Sequence, residues 1–333
     1  MLNISVLPER WPMKEPVRIS GYVFTHFDVL VVEIEHHGIL GRGEASGVYY
    51  HEEHPQRMAE QIERVRARLE SGISRTALRE VLPAGGARAA LDAALWDLEA
   101  KCSGVSVYER ANAGAPRALP TTYTLGADSP DRMAQAARQF AAAPRLKLKL
   151  TGEDDLERVQ AVRAARPEAW IGIDANQGLR RASLEALLPD LHALGVQLIE
   201  QPLPVGQEAQ LHGLRSPIPL AADESVQAMA DLSRAHGVFD VVNIKLDKCG
   251  GLTEALLMVR EIRRLGMRPM VGCMSSTTLG IAPACVLGQL CDLVDLDAPL
   301  FLREDRAPAA LYRDGTVCCP QVWGFPADHR AAD

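Results

Sequence analysis

Two lysines, Lys147 and Lys149 in the run Arg145-Leu-Lys-Leu-Lys-Leu150, begin an ordered series of charged residues in the middle of the chain. Asp174 in Ile171-Gly-Ile-Asp-Ala-Asn176, Glu200 in Leu198-Ile-Glu-Gln-Pro202 and Asp223 in Leu220-Ala-Ala-Asp-Glu224 each end an apolar run. Lys245 follows in Val241-Val-Asn-Ile-Lys-Leu-Asp-Lys248. Three carboxylates from adjacent strands would form an oxygen-only site of the kind Mg²⁺ prefers, with positions left for water or substrate. Lysines on either side suit removal of a proton α to a carboxylate. So weak a carbon acid yields to an amine only if the developing charge is stabilised, which a divalent cation on the carboxylate oxygens can do. Crowding by another cation and a metal would bring a lysine's pKa down toward neutrality, making it a usable base. With lysines on opposite faces, one takes the proton and the other returns it, and the product is the epimer.

Each residue alone has a plainer explanation. A strand-end aspartate often caps the next helix, and Lys-x-Lys is often a solvated strand face. Asp223-Glu224-Ser225 leaves open whether Asp223 or Glu224 points inward, and Lys248 is a second candidate for the role of Lys245. The full series, one group per strand end, favours a site. Unpaired charges inside a protein are costly, so these must neutralise one another or hold an ion.

Positioning them requires strands in register. From about residue 119 the chain repeats a strand-then-helix unit, with strands expected over 119–125, 145–150, 170–175, 197–201, 219–224, 240–247, 268–275 and 293–300. Helical patterns cover 131–142, 155–165, 181–194 and 253–265; Ser129-Pro130-Asp131 is a start signal, and Gly195, Gly237 and Gly266 close helices. Eight regular units predict a closed parallel (β/α) barrel, with an open doubly wound sheet as the competing topology. Alternation puts Lys147 with Lys149, Asp174 with Asn176, and Asn243 with Lys245 and Asp247 on the interior face. Leu146, Leu148, Leu150, Val242, Ile244 and Leu246 then face the helices.

Residues 1–115 read as an α+β domain: two strands around His36-His37-Gly38, over 29–36 and 39–44, then helices over 56–70, 74–81 and 86–101. The barrel takes 116–302. The tail 303–333 is too short for a domain and is expected to pack back on the first one. A net charge of −7 gives no support to nucleic-acid or anionic-membrane binding. No apolar run is long enough for a membrane span, and the first residues lack the order of a secretion signal, so a cytoplasmic location is expected. The seven cysteines, at 102, 249, 273, 285, 291, 318 and 319, have no CxxC spacing and read as free thiols.

These residues, with Ala89-Ala-Leu-Asp-Ala-Ala-Leu-Trp-Asp-Leu-Glu-Ala-Lys101, resemble the enolase superfamily over nearly the whole chain, specifically its muconate-lactonizing subgroup and most closely the dipeptide epimerases. The resemblance implies a (β/α)7β-type TIM barrel with an N-terminal α+β capping domain, Mg²⁺ as cofactor and a homo-oligomer. It makes Asp174, Glu200 and Asp223 metal ligands, Lys149 and Lys245 the acid/base pair acting through an enediolate, and Lys147 a holder of the substrate carboxylate. Asp295-Leu-Asp297 resembles the Asp-x-Asp that binds a dipeptide's ammonium group, with Thr124 and Tyr22 as further substrate contacts. The His–Asp dyad of the mandelate-racemase subgroup has no counterpart, since 268–275 holds no histidine. One departure concerns the arginine that L-Ala-D/L-Glu epimerases carry in the capping loop. Arg18 comes too early, and Gly21 and Tyr22 stand near the expected place. A neutral or apolar second residue is therefore expected, with Tyr22, Phe24, His26, Tyr49 and Tyr50 as lining candidates. The alternatives are an N-acylamino acid racemase, an o-succinylbenzoate synthase or a muconate cycloisomerase, and, from another class, a non-catalytic barrel.

Overall fold

The computed structural model describes residues 1–19 and 21–327. Its first element, β1 (Asn3–Ile19), pairs antiparallel with β2 (Tyr22–His36), which pairs with β3 (Ile39–Ala45) in the order β1-β2-β3. The sequence reading missed β1 and the first half of β2. Pro8, Pro12 and Pro16 interrupt the alternation that marks a strand, and β1 tolerates them because it is an edge strand. The register shifts between Pro12 and Val17, and beyond that irregularity the β1–β2 hairpin reaches over the barrel.

Three helices follow, α1 (Pro55–Glu70), α2 (Arg75–Val81) and α3 (Gly86–Ser103); α1 and α3 pack on this sheet and α2 packs on α3. Nearly all of α3 is buried, because one side meets β3 and the other meets the barrel. Gly43 permits the first contact. A Cβ there would stand on the carbonyl oxygen of Ala90 and 2.6 Å from the Ala94 amide nitrogen. Gly43→Ala should therefore cost about 1–3 kcal/mol in urea unfolding, as overpacking does.

The eight parallel strands of the barrel are Tyr123–Leu125, Arg145–Lys149, Trp170–Asp174, Val196–Glu200, Leu220–Ala222, Val241–Lys245, Arg268–Gly272 and Leu293–Asp295, each hydrogen-bonded to the next in sequence order. We number them one to eight. The first and eighth meet through Thr122 N–H donating to Val294 O at 3.2 Å and Leu296 N–H donating to Thr121 Oγ1 at 2.9 Å. A doubly wound sheet is thereby excluded, and the chain is a TIM barrel with a capping domain.

The expected parity holds. Leu146, Leu148, Val242 and Ile244 join the large apolar layer between strands and helices. Leu198, Ala221, Val241 and Met270, with Trp170 and Leu293, plug the interior low in the barrel. Two residues above Leu198, Ala221, Val241 and Leu293 the interior position is Glu200, Asp223, Asn243 and Asp295, so polar groups begin where the plug ends on those strands; above Trp170, Gly172 comes first and then Asp174.

Several bounds differ from expectation. The sixth strand ends at Lys245 and turns into the short helix Leu246–Cys249, so Asp247 accepts from the backbone amides of Ser46 (2.8 Å) and Gly47 (3.1 Å) rather than facing the interior. The fourth crossover contains only the 3-10 turn Glu208–Leu211. Beyond the barrel, Arg306 bonds Glu44 (2.6 Å) and Glu9 (2.7 Å), and Trp323 Nε1 donates to Arg42 O at 2.8 Å. All seven cysteines are free thiols. Among the described residues no helix is long and apolar enough to cross a membrane.

Candidate active site

Strands two and six lie on opposite sides of the barrel, and strands three, four and five run between them. Lys149 and Lys245 thus face one cleft from opposite walls, and the ends of the intervening strands carry Asp174, Glu200 and Asp223, all nearly inaccessible to solvent. Lys149 Nζ bonds Asp174 Oδ2 at 2.5 Å, and Lys245 Nζ bonds Asp223 Oδ2 at 2.6 Å. Lys147 is buried below them and bonds Asp295, lying 3.8 Å from Asp174 Oδ2 and 3.7 Å from Glu200 Oε2.

Burial and the neighbouring Asp174 push Glu200 up to about 8. Its Oε1 accepts from Asn243 Nδ2 at 2.7 Å, while Oε2 is buried without a hydrogen-bond partner. Asp223 goes the other way: burial raises it, but Lys245 and Lys248 outweigh burial and hold it far below the usual carboxylate range. Burial pulls Lys245 and Lys147 down, yet the surrounding carboxylates win and raise both. The lysine brought toward neutrality is expected with a metal in place; in these ion pairs each lysine faces carboxylates. The described residues contain no ready cage of acidic or imidazole groups: Asp174 and Asp223 turn onto lysines, and Glu200 onto Asn243. The donor set nevertheless fits a hard divalent cation. It consists of three buried carboxylates, one with an orphaned oxygen.

Glu224 is also buried. Its Oε1 accepts from Asn176 Nδ2 at 3.3 Å, and burial with Asp223 nearby raises it to about 7. Both readings of the Asp223-Glu224 pair are thus partly realised, with Asp223 meeting the lysines. Lys248 lies behind Asp223, outside the lining of the main cleft.

The cleft encloses about 710 Å³, part of it open solvent. Thr124, Asp295 and Asp297 line it on the side of strands one and eight. Asp297 Oδ2 accepts from Thr124 N–H at 2.6 Å, and burial together with Asp295 raises Asp297 to about 6. Asp295 is held low, since Lys147 overcomes the effect of burial. The roof is apolar: Met13, Val17, Ile19, Phe24 and Phe27 come from the hairpin, and Phe301 from the turn after strand eight. Among the described residues the lining charges all lie below this roof, on Lys147, Lys149, Lys245, Asp295 and Asp297. Arg18 is exposed between the lining residues Val17 and Ile19. Of the aromatic candidates, Phe24 and Tyr49 line the cleft. Tyr22 does not; it packs on Tyr49 with ring centroids 4.6 Å apart and is 44% exposed. His26 pairs with Asp28, and Tyr50 accepts from Gln227. Sequence reasoning missed Met13, Phe27 and Phe301, which carry no signal until β1 is recognised as part of the roof.

Residues 1–110 match the Mandelate racemase / muconate lactonizing enzyme N-terminal domain, and residues 132–326 match the Enolase C-terminal domain-like family. The chain is 38% identical over 319 residues to the L-Ala-D/L-Glu epimerase of Escherichia coli K12, covering 95% of this chain and 99% of that protein. A crystal structure of an enolase family member from Agrobacterium tumefaciens, with homology to dipeptide epimerases and bound sodium and L-Ala-L-Glu, superposes with a TM-score of 0.95 at 40% identity. That match covers 97% of this chain and all of the other. The dipeptide epimerase from Methylococcus capsulatus, complexed with Mg and L-Arg-D-Lys, gives 0.89 at 31% identity, covering 97% and 98%. With both domains matched and relatives this similar along their whole length, the chain belongs to the mandelate racemase/muconate lactonizing enzyme family of the enolase superfamily.

Proposed function

We propose that this chain is a Mg²⁺-dependent dipeptide epimerase that inverts the α-carbon of the C-terminal residue by two-lysine proton transfer. The observation that carries this reading is the placement of Lys149 and Lys245 on opposite walls of one cleft, with Asp174, Glu200 and Asp223 on the strands between. An α-carbon between the two ammonium groups can lose its proton to one side and regain it from the other. Asp174, Glu200 and Asp223 would hold the metal, which, when bound, offsets negative charge developing on the substrate carboxylate. Lys147, held by Asp295, supplies a second cation toward that carboxylate. The Mg-complexed Methylococcus capsulatus relative supports the choice of ion.

The substrate's ammonium is assigned to Asp297, with the Thr124 amide fixing that carboxylate. Its second side chain is assigned to the hairpin roof. With no charged side chain among the described residues that line the roof, a neutral or apolar residue suits it better than glutamate, since an unpaired carboxylate against Phe24 and Ile19 would lose its hydration uncompensated. The likeness to the Agrobacterium tumefaciens protein, seen with L-Ala-L-Glu, favours the other choice, and a substrate panel separates them.

The test is deuterium wash-in at the α-carbon in D₂O with Mg²⁺, over dipeptides with apolar, acidic and basic second residues and their N-acetyl forms. Wash-in and epimerisation of free-amine dipeptides are expected, strongest with apolar second residues. Exchange of N-acylamino acids alone would point to a racemase of that class, and no exchange at all to a non-catalytic barrel. Because Asp297 is raised to about 6, it is ionised above that pH and neutral below it. Accordingly, kcat/KM for free-amine dipeptides should fall as pH drops through about 6, roughly tenfold per unit. Asp297→Asn should remove that limb and cost roughly 10–100-fold in kcat/KM, the worth of a charge-assisted hydrogen bond of about 1.5–3 kcal/mol.

A further inference from the structure

Among the described residues, Lys248 is the one cation around the carboxylate cluster that the proposed mechanism leaves without a role. Its side chain is 1% exposed. Its Nζ donates to Asp223 Oδ1 at 2.6 Å, to the Asp223 carbonyl, and to Asn243 O at 3.1 Å. Asp223 therefore stands between two lysines, Lys248 on Oδ1 from behind and Lys245 on Oδ2 from the cleft. The two differ in freedom. Lys245 lines the cleft and has one hydrogen-bond acceptor, whereas Lys248 is outside that lining and tied to three. An ammonium group has three donors, so Lys248 is saturated and immobile.

We infer that Lys248 is a positioning residue: a fixed counter-cation that orients Asp223 and neutralises it from behind, leaving Lys245 free to leave that carboxylate and work in the cleft. The inference rests on the two-lysine reading above. Two carbonyls fix Lys248, one from strand six and one from Asp223 itself, so it ties the ends of strands five and six together. Without it, Asp223 would keep Lys245 as its sole lysine partner and hold it in the ion pair. The consequence is asymmetric. A lysine locked to a carboxylate is hindered in taking a proton, while Lys149, bonded to Asp174 on strand two's side, is untouched.

The experiment compares wild type and Lys248→Met in D₂O, starting separately from each epimer of one dipeptide that the wild type turns over. In one epimer the α-proton faces Lys149, and in the other Lys245. Initial deuterium incorporation is expected to fall tenfold or more on the Lys245 face and less than threefold on the Lys149 face. Both rates come from the same preparation, so their ratio is independent of the folded fraction. Mg²⁺ titration calorimetry without substrate is expected to show about tenfold weaker binding, the usual effect of removing a partner that orients a ligand. An equal fall on both faces would reduce Lys248 to a structural residue, and an unchanged ratio with unchanged Mg²⁺ affinity would also overturn the inference. If instead the wild type exchanges no α-proton on either face, the two-lysine reading itself fails.

Discussion

Lys245→Met is expected to abolish α-proton exchange from one epimer of the substrate while leaving exchange from the other, and Lys149→Met should do the reverse. Each substitution should remove net epimerisation. The reason lies in the barrel: the two lysines approach from strands two and six, on opposite sides, so each is expected to serve one face of the α-carbon. Loss of a positioned general acid or base costs roughly 10²–10⁴-fold in rate, and epimerisation needs both. Exchange on the spared face should continue because deprotonation there and return of deuterium by the same lysine do not require the missing one. Methionine keeps most of the lysine's apolar length. The measurement is initial deuterium incorporation by NMR from each pure epimer. Equal loss on both faces in either variant would refute the division of labour. In Lys245→Met, Asp223 keeps Lys248 as its partner, which should limit the effect on folding.

Glu200→Gln should give two opposite results. Glu200 is the middle carboxylate of the three, and losing its charge should weaken Mg²⁺ binding by about 10²-fold, at or beyond the range seen when only outer partners are removed. Calorimetry reads this directly, and epimerisation at fixed Mg²⁺ should fall with it. Without metal the variant should gain stability on the wild type as pH rises. Burial and Asp174 raise the folded-state pKa of Glu200 to about 8, above its ordinary value near 4.5. Between those values the folded state binds the extra proton, so wild-type stability is greatest below about 4.5 and declines as pH rises toward about 8. Glutamine keeps the shape and carries no charge, removing that decline. Urea unfolding of the metal-free proteins at pH 5 and pH 8 checks this: the variant should gain on the wild type between the two. No gain would mean that Lys147, 3.7 Å from Glu200 Oε2, compensates the charge fully.

The two results share a cause. Lysines and carboxylates neutralise one another across the barrel, so a cation taking the carboxylates should loosen their hold on the lysines. The carboxylates around Lys245 outweigh its burial and raise it. The apolar roof is separate from this balance, so choice among substrates and chemistry at the α-carbon should vary independently under mutation.

The interior charges were readable from sequence because a barrel strand encodes its facing in period two. Lys147 and Lys149, Asn243 and Lys245 alternate with leucine, valine and isoleucine, and a polar residue that alternates with buried apolar ones has only the barrel interior to face. Order along the chain also gave the order of groups around the ring, because each parallel strand pairs with its sequence neighbour. The folded structure decided whatever depends on where strands stop and what approaches from elsewhere. Asp247 keeps the alternation on paper, yet the backbone turns helical at Leu246 and delivers it to the Ser46 and Gly47 amides. Tyr22 and Phe24 share a strand face, but only Phe24 reaches the cleft, since the hairpin carries Tyr22 out past Tyr49. Lys245 and Lys248 are three residues apart and were both candidates. Three acceptors bury one behind Asp223, while the other opens on the cleft. Local periodicity determined which residues point inward. Contacts between residues as distant as Met13 and Leu302 determined what closes over them, because such contacts leave no period in the sequence.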